Sequence, residues 1–238
     1  GPASRDILLS LHGSPEDKAR VKALPWAGVT RANLGGYDLI VARTGYTGER
    51  VAYELFIDPD QAPALFKDLV ESGATPIGLA ARDSLRTEAG LPLYGHELAG
   101  DLNLNPADAG FGSFVKLWKP FFIGKDAFIA HERERDAVVT RFRLDSKGVR
   151  QPHPGDPIVD ARGRVIGTVT SCSIDQEGYS LGQAYLKLSH AEEGTPVLVY
   201  SAADKSKLDK PLGALRIGDR TVVPNAATVL SRFPKRKK

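Results

Sequence analysis

The sequence predicts an α+β protein in two parts, an α+β domain over residues 1–135 and an antiparallel β-barrel domain over residues 136–238. Three observations predict it. Up to Arg135, segments with helical spacing of apolar residues are interleaved with alternating, strand-like segments. From Ala137 onward only short strand-like runs remain, VVTRFRL, DPIVD, RVIGTVTS, YSLGQAYL, TPVLVYS, GALRI, RTVVP and ATVLS, joined by turn signals such as Ala161-Arg162-Gly163 and Gly218-Asp219. Short strands at that spacing suit a small antiparallel barrel. Between the two parts, HERERD has the alternating charges of a solvated helix end and marks the expected boundary.

Taken in order, Ile7, Leu8 and Leu11 form one face of a first helix that Pro2 helps to begin. A second starts at Ser14, with Pro15 at its first position and Asp17 near the positive end of the helix dipole. VTRANL and YDLIVAR then flank Gly35-Gly36, a two-residue hairpin signal. VAYELFI reads as a further strand, and Asp58-Pro59-Asp60-Gln61 as a helix start with Asp58 as cap. Ala62, Leu65, Phe66, Leu69 and Val70 supply that helix with a buried face, and Gly73 ends it. The next helix runs from Leu79 to Ala89, before Gly90, and another from about Gly124 to Arg135, with Phe121, Phe122 and Ile123 reading as core.

Composition bounds the function. The formal charge of +3 is less than Lys235-Arg236-Lys237-Lys238 contributes, so the body is almost neutral and carries no electrostatic footprint for nucleic acid. The one cysteine, Cys172, excludes an intrachain disulfide and a zinc site of several thiolates; the five histidines are scattered. A reducing, cytoplasmic setting is the expectation. No apolar run approaches the roughly 20 residues of a membrane helix, and no membrane partner is expected. There is no methionine, so Gly1 is read as the start of a fragment or processed product.

The chemistry-bearing residues gather between Arg43 and Glu97. Strand alternation places Val51, Tyr53, Leu55 and Ile57 on one face and Ala52, Glu54 and Phe56 on the other. Two readings of Glu54 stand: an edge-strand carboxylate in water, or a carboxylate accepting two parallel N–H donors from a planar heterocycle with an arginine nearby. Arg82 and Arg86, four apart on the next helix, are either a solvated, salt-bridged face or cations turned toward a ligand. Tyr94 tips the loop Leu91-Pro92-Leu93-Tyr94-Gly95. Cys172 reads as a small packing residue.

RTGYTGE, GLAARDSLRTEAGLPLYGHEL, NPADAGFGSFVKL with FFIGKDAF, and GDPIVDARGRVIGTVTS together resemble the aminomethyltransferase family, the T-protein of the glycine cleavage system and its folate-dependent relatives. The motifs occur in the family's order through nearly the whole chain. Gly1-Pro2-Ala3-Ser4 resembles a segment lying well inside a full-length member, so the resemblance implies that the family's N-terminal portion is absent and that the first domain is the remainder of a folate-binding α+β domain. Two departures stand out. The turn Gly48-Glu49-Arg50-Val51-Ala52-Tyr53-Glu54 is one residue longer than the family's pattern, which leaves Glu49 as a reserve candidate for Glu54. Cys172 replaces the family's usual glycine after Thr-Ser.

The resemblance implies tetrahydrofolate as the cofactor and places Tyr46, Glu54, Arg82, Arg86 and Tyr94 in its site. Glu54 would pair with the pterin N3–H and 2-amino group, the arginines would orient that carboxylate or bind folate oxygens, and the tyrosines would pack on the rings. The implied reaction moves a one-carbon unit from an aminomethyl group on the lipoyl arm of H-protein to tetrahydrofolate, releasing ammonia. The family's catalytic aspartate would belong to the absent portion, so no catalytic residue is named. Demethylation of another donor on the same folate site, or a folate-binding or scaffold relative without transfer, are the alternatives.

Overall fold

The structure is a computed structural model, and it describes residues 1–201, 216–217 and 223–234. It divides into two compact units, Gly1–Arg82 and Asp83–Lys238.

In the first unit, helices α1 (Ser4–Ser10) and α2 (Pro15–Ala23) precede an antiparallel sheet of β1 (Val29–Leu34), β2 (Tyr37–Ala42) and β3 (Glu54–Phe56), in that order, followed by α3 (Ala62–Glu71). Ser14 caps α2 by accepting the Asp17 amide, as its position before Pro15 predicts. Leu34 and Tyr37 face each other across Gly35-Gly36, whose φ values of 67° and 82° are those of a type I′ hairpin turn. Apolar residues at alternate strand positions, Ala32, Leu34, Leu39 and Val41, meet Leu8, Leu11, Val21, Leu24 and Leu65 in one core. The third strand is only three residues long, and α3 begins at Ala62, not beside Asp58. Asp58 instead accepts the Asp60 amide in a local turn, which spends the cap before the helix starts, and Phe66 faces solvent.

The second unit is a closed barrel, β4-β7-β6-β5-β8-β9, preceded by helical and irregular chain. The strands are β4 (Ala137–Leu144), β5 (Pro157–Val159), β6 (Val165–Ile174), β7 (Ser180–Lys187), β8 (Pro196–Val199) and β9 (Asn225–Leu230), all pairs antiparallel. Inward residues such as Phe142, Leu144, Ile158, Val169, Leu186 and Val229 fill it. GALRI and RTVVP fall largely outside the described residues. Gly182 on β7 admits the Phe142 ring: a Cβ there would stand 2.5 Å from Phe142 Cζ and from the Ser171 carbonyl.

Helix α4 (Leu79–Glu88) contributes its last turns to the second unit, and α5 (Lys125–Glu134) follows Gly124, whose φ is 89°. The chain between Asp83 and Asp136 is hydrogen-bonded to the barrel within the second unit. Arg141 Nη1 donates to the Glu88 carbonyl at 2.9 Å and the Val139 amide to the Asp108 carbonyl at 2.8 Å. Within HERERD, His131 lies 2.8 Å from the buried Asp108 and Arg135 3.1 Å from Glu132, while Arg133, Glu134 and Asp136 are exposed. Phe121 and Ile123, expected in the core, are 77% and 93% exposed. Among the described residues no helix is long and apolar enough to cross a membrane.

Candidate functional site

Of the five candidate residues, Tyr46, Glu54 and Arg82 belong to the first unit, Arg86 and Tyr94 to the second. Glu54 opens β3, paired with Ala42 on β2. The alternation predicted for this strand holds from Tyr53 to Ile57 and not at Val51 and Ala52, which precede β3 and are both half-buried: Tyr53, Leu55 and Ile57 pack on the core, while Glu54 and Phe56 are exposed on the outer face. Because β3 ends the three-strand sheet, Glu54 is an edge-strand carboxylate in solvent. Thr44 Oγ1 donates to Glu54 Oε2, bracing one oxygen. On the same outer face a cavity of about 630 Å³ opens beside Arg31, Asp38, Ile40 and Phe56; Glu54 does not line it.

The Arg82 guanidinium lies 5.7 Å from the centroid of the Tyr46 ring, within the range of a cation–π contact. Arg82 is exposed and Tyr46 half-buried. The RTGYTGE turn thus brings one cation and one aromatic together, and its threonine holds the acid. Glu49, the reserve candidate, is exposed in that turn.

Arg86 departs from the expectation of a ligand-facing cation. It is completely buried, and its donors are occupied: Nε by Asp83 at 2.6 Å, Nη1 by Glu97 Oε2 at 2.7 Å, Nη2 by Ser171 Oγ at 2.7 Å. Glu97 is also fully buried, and a charge there is tolerable only when paired. The acid at 97 and the serine at 171 were not singled out by sequence, although YGHEL and TVTS hold them; spacing alone does not reveal a pairing across 74 residues. Tyr94 is 81% exposed at the tip of a turn closed by Gly95 N–H to the Leu98 carbonyl, 2.7 Å, and Leu98 N–H to the Leu93 carbonyl, 3.2 Å.

Next to Ser171, Cys172 keeps the packing role expected of it. Burial pushes its thiol up to about 12, so it stays protonated and non-nucleophilic near neutrality. A group of potential metal ligands, Asp108, His131 and Glu132, lies elsewhere in the second unit; Glu132 is paired with Arg135, while His131 Nε2, 2.8 Å from Asp108 Oδ2, and Asp108 Oδ1 are buried without a hydrogen-bond partner.

The GCVT N-terminal domain family matches residues 1–119. An aminomethyltransferase of Saccharopolyspora erythraea is 41% identical over 206 residues, covering 84% of this chain and 53% of the relative. One of Streptomyces avermitilis is 40% identical over 203 residues, covering 82% and 52%. The crystal structure of the glycine cleavage system aminomethyltransferase T from Bartonella henselae superposes with a TM-score of 0.71 at 26% identity, covering 95% of this chain and 55% of that one. The chain therefore spans about half the length of the curated relatives it matches. With one family's domain extending over half of its residues and its motifs continuing through the barrel, the chain belongs to the aminomethyltransferase family of glycine cleavage T-proteins.

Proposed function

We propose that this chain carries the folate-binding part of an aminomethyltransferase, which transfers the one-carbon unit of an aminomethyl group on the lipoyl arm of H-protein to tetrahydrofolate and releases ammonia. Tetrahydrofolate is the acceptor and supplies the nitrogen nucleophile. The observation that carries this reading is the exposed Glu54 carboxylate, braced by Thr44, in the same unit as the Tyr46–Arg82 pair. A pterin offers N3–H and its 2-amino group side by side, and a carboxylate accepts two such parallel donors at once. The donor set therefore fits: an acid for the pterin edge, an aromatic face for a ring, a cation for a folate oxygen.

These residues bind and orient. Fixing the pterin edge removes rotational freedom that transfer would otherwise have to lose on the way to its transition state. Arg82, drawn to the Tyr46 ring, is the cation available to a folate oxygen. Tyr94, exposed on its own unit, is a second aromatic surface for the folate. Arg86 has no free donor to offer and acts from within the fold.

Titration of the chain with tetrahydrofolate tests the reading. Glu54→Ala is expected to weaken binding by about tenfold or more, the scale of a charge-assisted bidentate hydrogen bond. Unchanged affinity removes Glu54 from the site and transfers the question to Glu49→Ala.

A further inference from the structure

We infer that Glu97 and Ser171 are positioning residues for Tyr94: together with Arg86 they form a buried clamp that fixes the Tyr94 turn to the end of α4 and to barrel strand β6. The inference rests on the proposal that Tyr94 meets folate, and adds to it two residues that touch no ligand.

The connections are specific. One carboxylate oxygen of Glu97, Oε2, accepts both Arg86 Nη1–H at 2.7 Å and the Leu93 amide at 2.9 Å. Leu93 is the residue immediately before Tyr94. The other oxygen, Oε1, accepts the Ser171 hydroxyl at 2.6 Å, and that hydroxyl oxygen accepts Arg86 Nη2–H at 2.7 Å. Arg86, Glu97 and Ser171 are 0%, 0% and 2% exposed, so the ring of interactions is buried, and Asp83, which accepts Arg86 Nε–H, completes the pairing of the guanidinium. His96 Nδ1 adds a contact to the Thr170 carbonyl at 3.0 Å, tying the far side of the same turn to β6. The 81% exposed phenol at the tip therefore stands on a buried Arg86–Glu97–Ser171 base. Rigid support of this kind is what a ligand-facing aromatic on a loop requires if its ring is to be pre-oriented.

The test uses the 238-residue chain and 5-formyltetrahydrofolate as probe. Affinity is measured by calorimetry and turn order by hydrogen exchange of the Leu93, Gly95 and Leu98 amides. Ser171→Ala, the milder variant, and Glu97→Gln are expected to speed exchange at these amides and to weaken folate by about tenfold, as expected when a buried hydrogen bond is lost. Ser171→Thr, which keeps the hydroxyl, is expected to retain both values; a general packing defect would not be rescued this way. Weakened folate in Tyr94→Ala combined with native affinity and exchange in Ser171→Ala overturns the clamp alone. Unchanged folate affinity in Tyr94→Ala overturns the folate role of this turn, and the positioning role falls with it.

Discussion

Arg86 Nη1 lies 2.7 Å from Glu97 Oε2, with neither side chain exposed. Removing one partner leaves a buried uncompensated charge, at a cost of roughly 3–5 kcal/mol. Arg86→Met and Glu97→Leu should each shift the urea midpoint of the second unit strongly, and the double substitution should lose less than the sum of the two. Additive losses would show that the pair is not coupled.

Barrel packing gives a second prediction. Gly182→Ala drives a methyl to 2.5 Å from the Phe142 ring and the Ser171 carbonyl, both held in place by the strands around them. Overpacking of this kind costs about 1–3 kcal/mol. Thermal melting should show the loss, and Phe142→Leu in the Gly182→Ala background should restore part of it by giving the methyl room.

The Cys172 thiol has a pH signature. Burial raises it from an ordinary value near 9.0 to about 12, so the folded state holds a proton that the unfolded chain releases first. The thiol's contribution to stability is complete below about pH 9 and is lost as pH rises from there toward 12. At pH 8 iodoacetamide should leave the folded chain unmodified and label it rapidly in urea. Rapid labelling of the folded chain would contradict the burial.

Arg82 and Lys67 separate a ligand-directed cation from an ordinary surface one. Lys67 lies 3.6 Å from Glu71 on α3 and is 75% exposed, a surface pair of little energetic weight. Arg82→Ala should weaken tetrahydrofolate severalfold and Lys67→Ala leave it unchanged, in parallel titrations. Equal effects would return Arg82 to the solvated-face reading. Tyr46→Leu should reproduce part of the Arg82 effect, since a cation–π contact is worth about 0.5–1 kcal/mol at an exposed site.

Local signals were legible where the chain interacts with itself nearby. Ser14 before Pro15, Gly35-Gly36 between alternating runs, and the six short runs after Ala137 that lie among the described residues each reported a neighbour within a few residues, and the structure follows them. Arg82 and Arg86 show where that reading stops. Their spacing places both on one helix, yet only Arg86 meets partners 11 and 85 residues away, and those partners convert it from a surface cation to a buried one. HERERD shows a local and a distant effect side by side: Arg133, Glu134 and Asp136 are exposed as a solvated helix end should be, whereas His131 stands beside Asp108, a buried acid from another segment. Asp58 illustrates the opposite error, a good cap residue used by a local turn before the helix could claim it.

The pairing of β4 with β9 bears on how the second unit comes into being. Arg141 meets Leu230, and Arg232, just beyond, donates to the carbonyls of Gly90 and Ala109. During synthesis β4 leaves the ribosome some ninety residues ahead of the strand that completes its second edge, as the Thr140–Leu230 hydrogen bond measures. Until then it presents an open ladder edge of unpaired N–H and C=O groups, so closure is a late, high-contact-order event and the nascent unit is most exposed to aggregation in that interval.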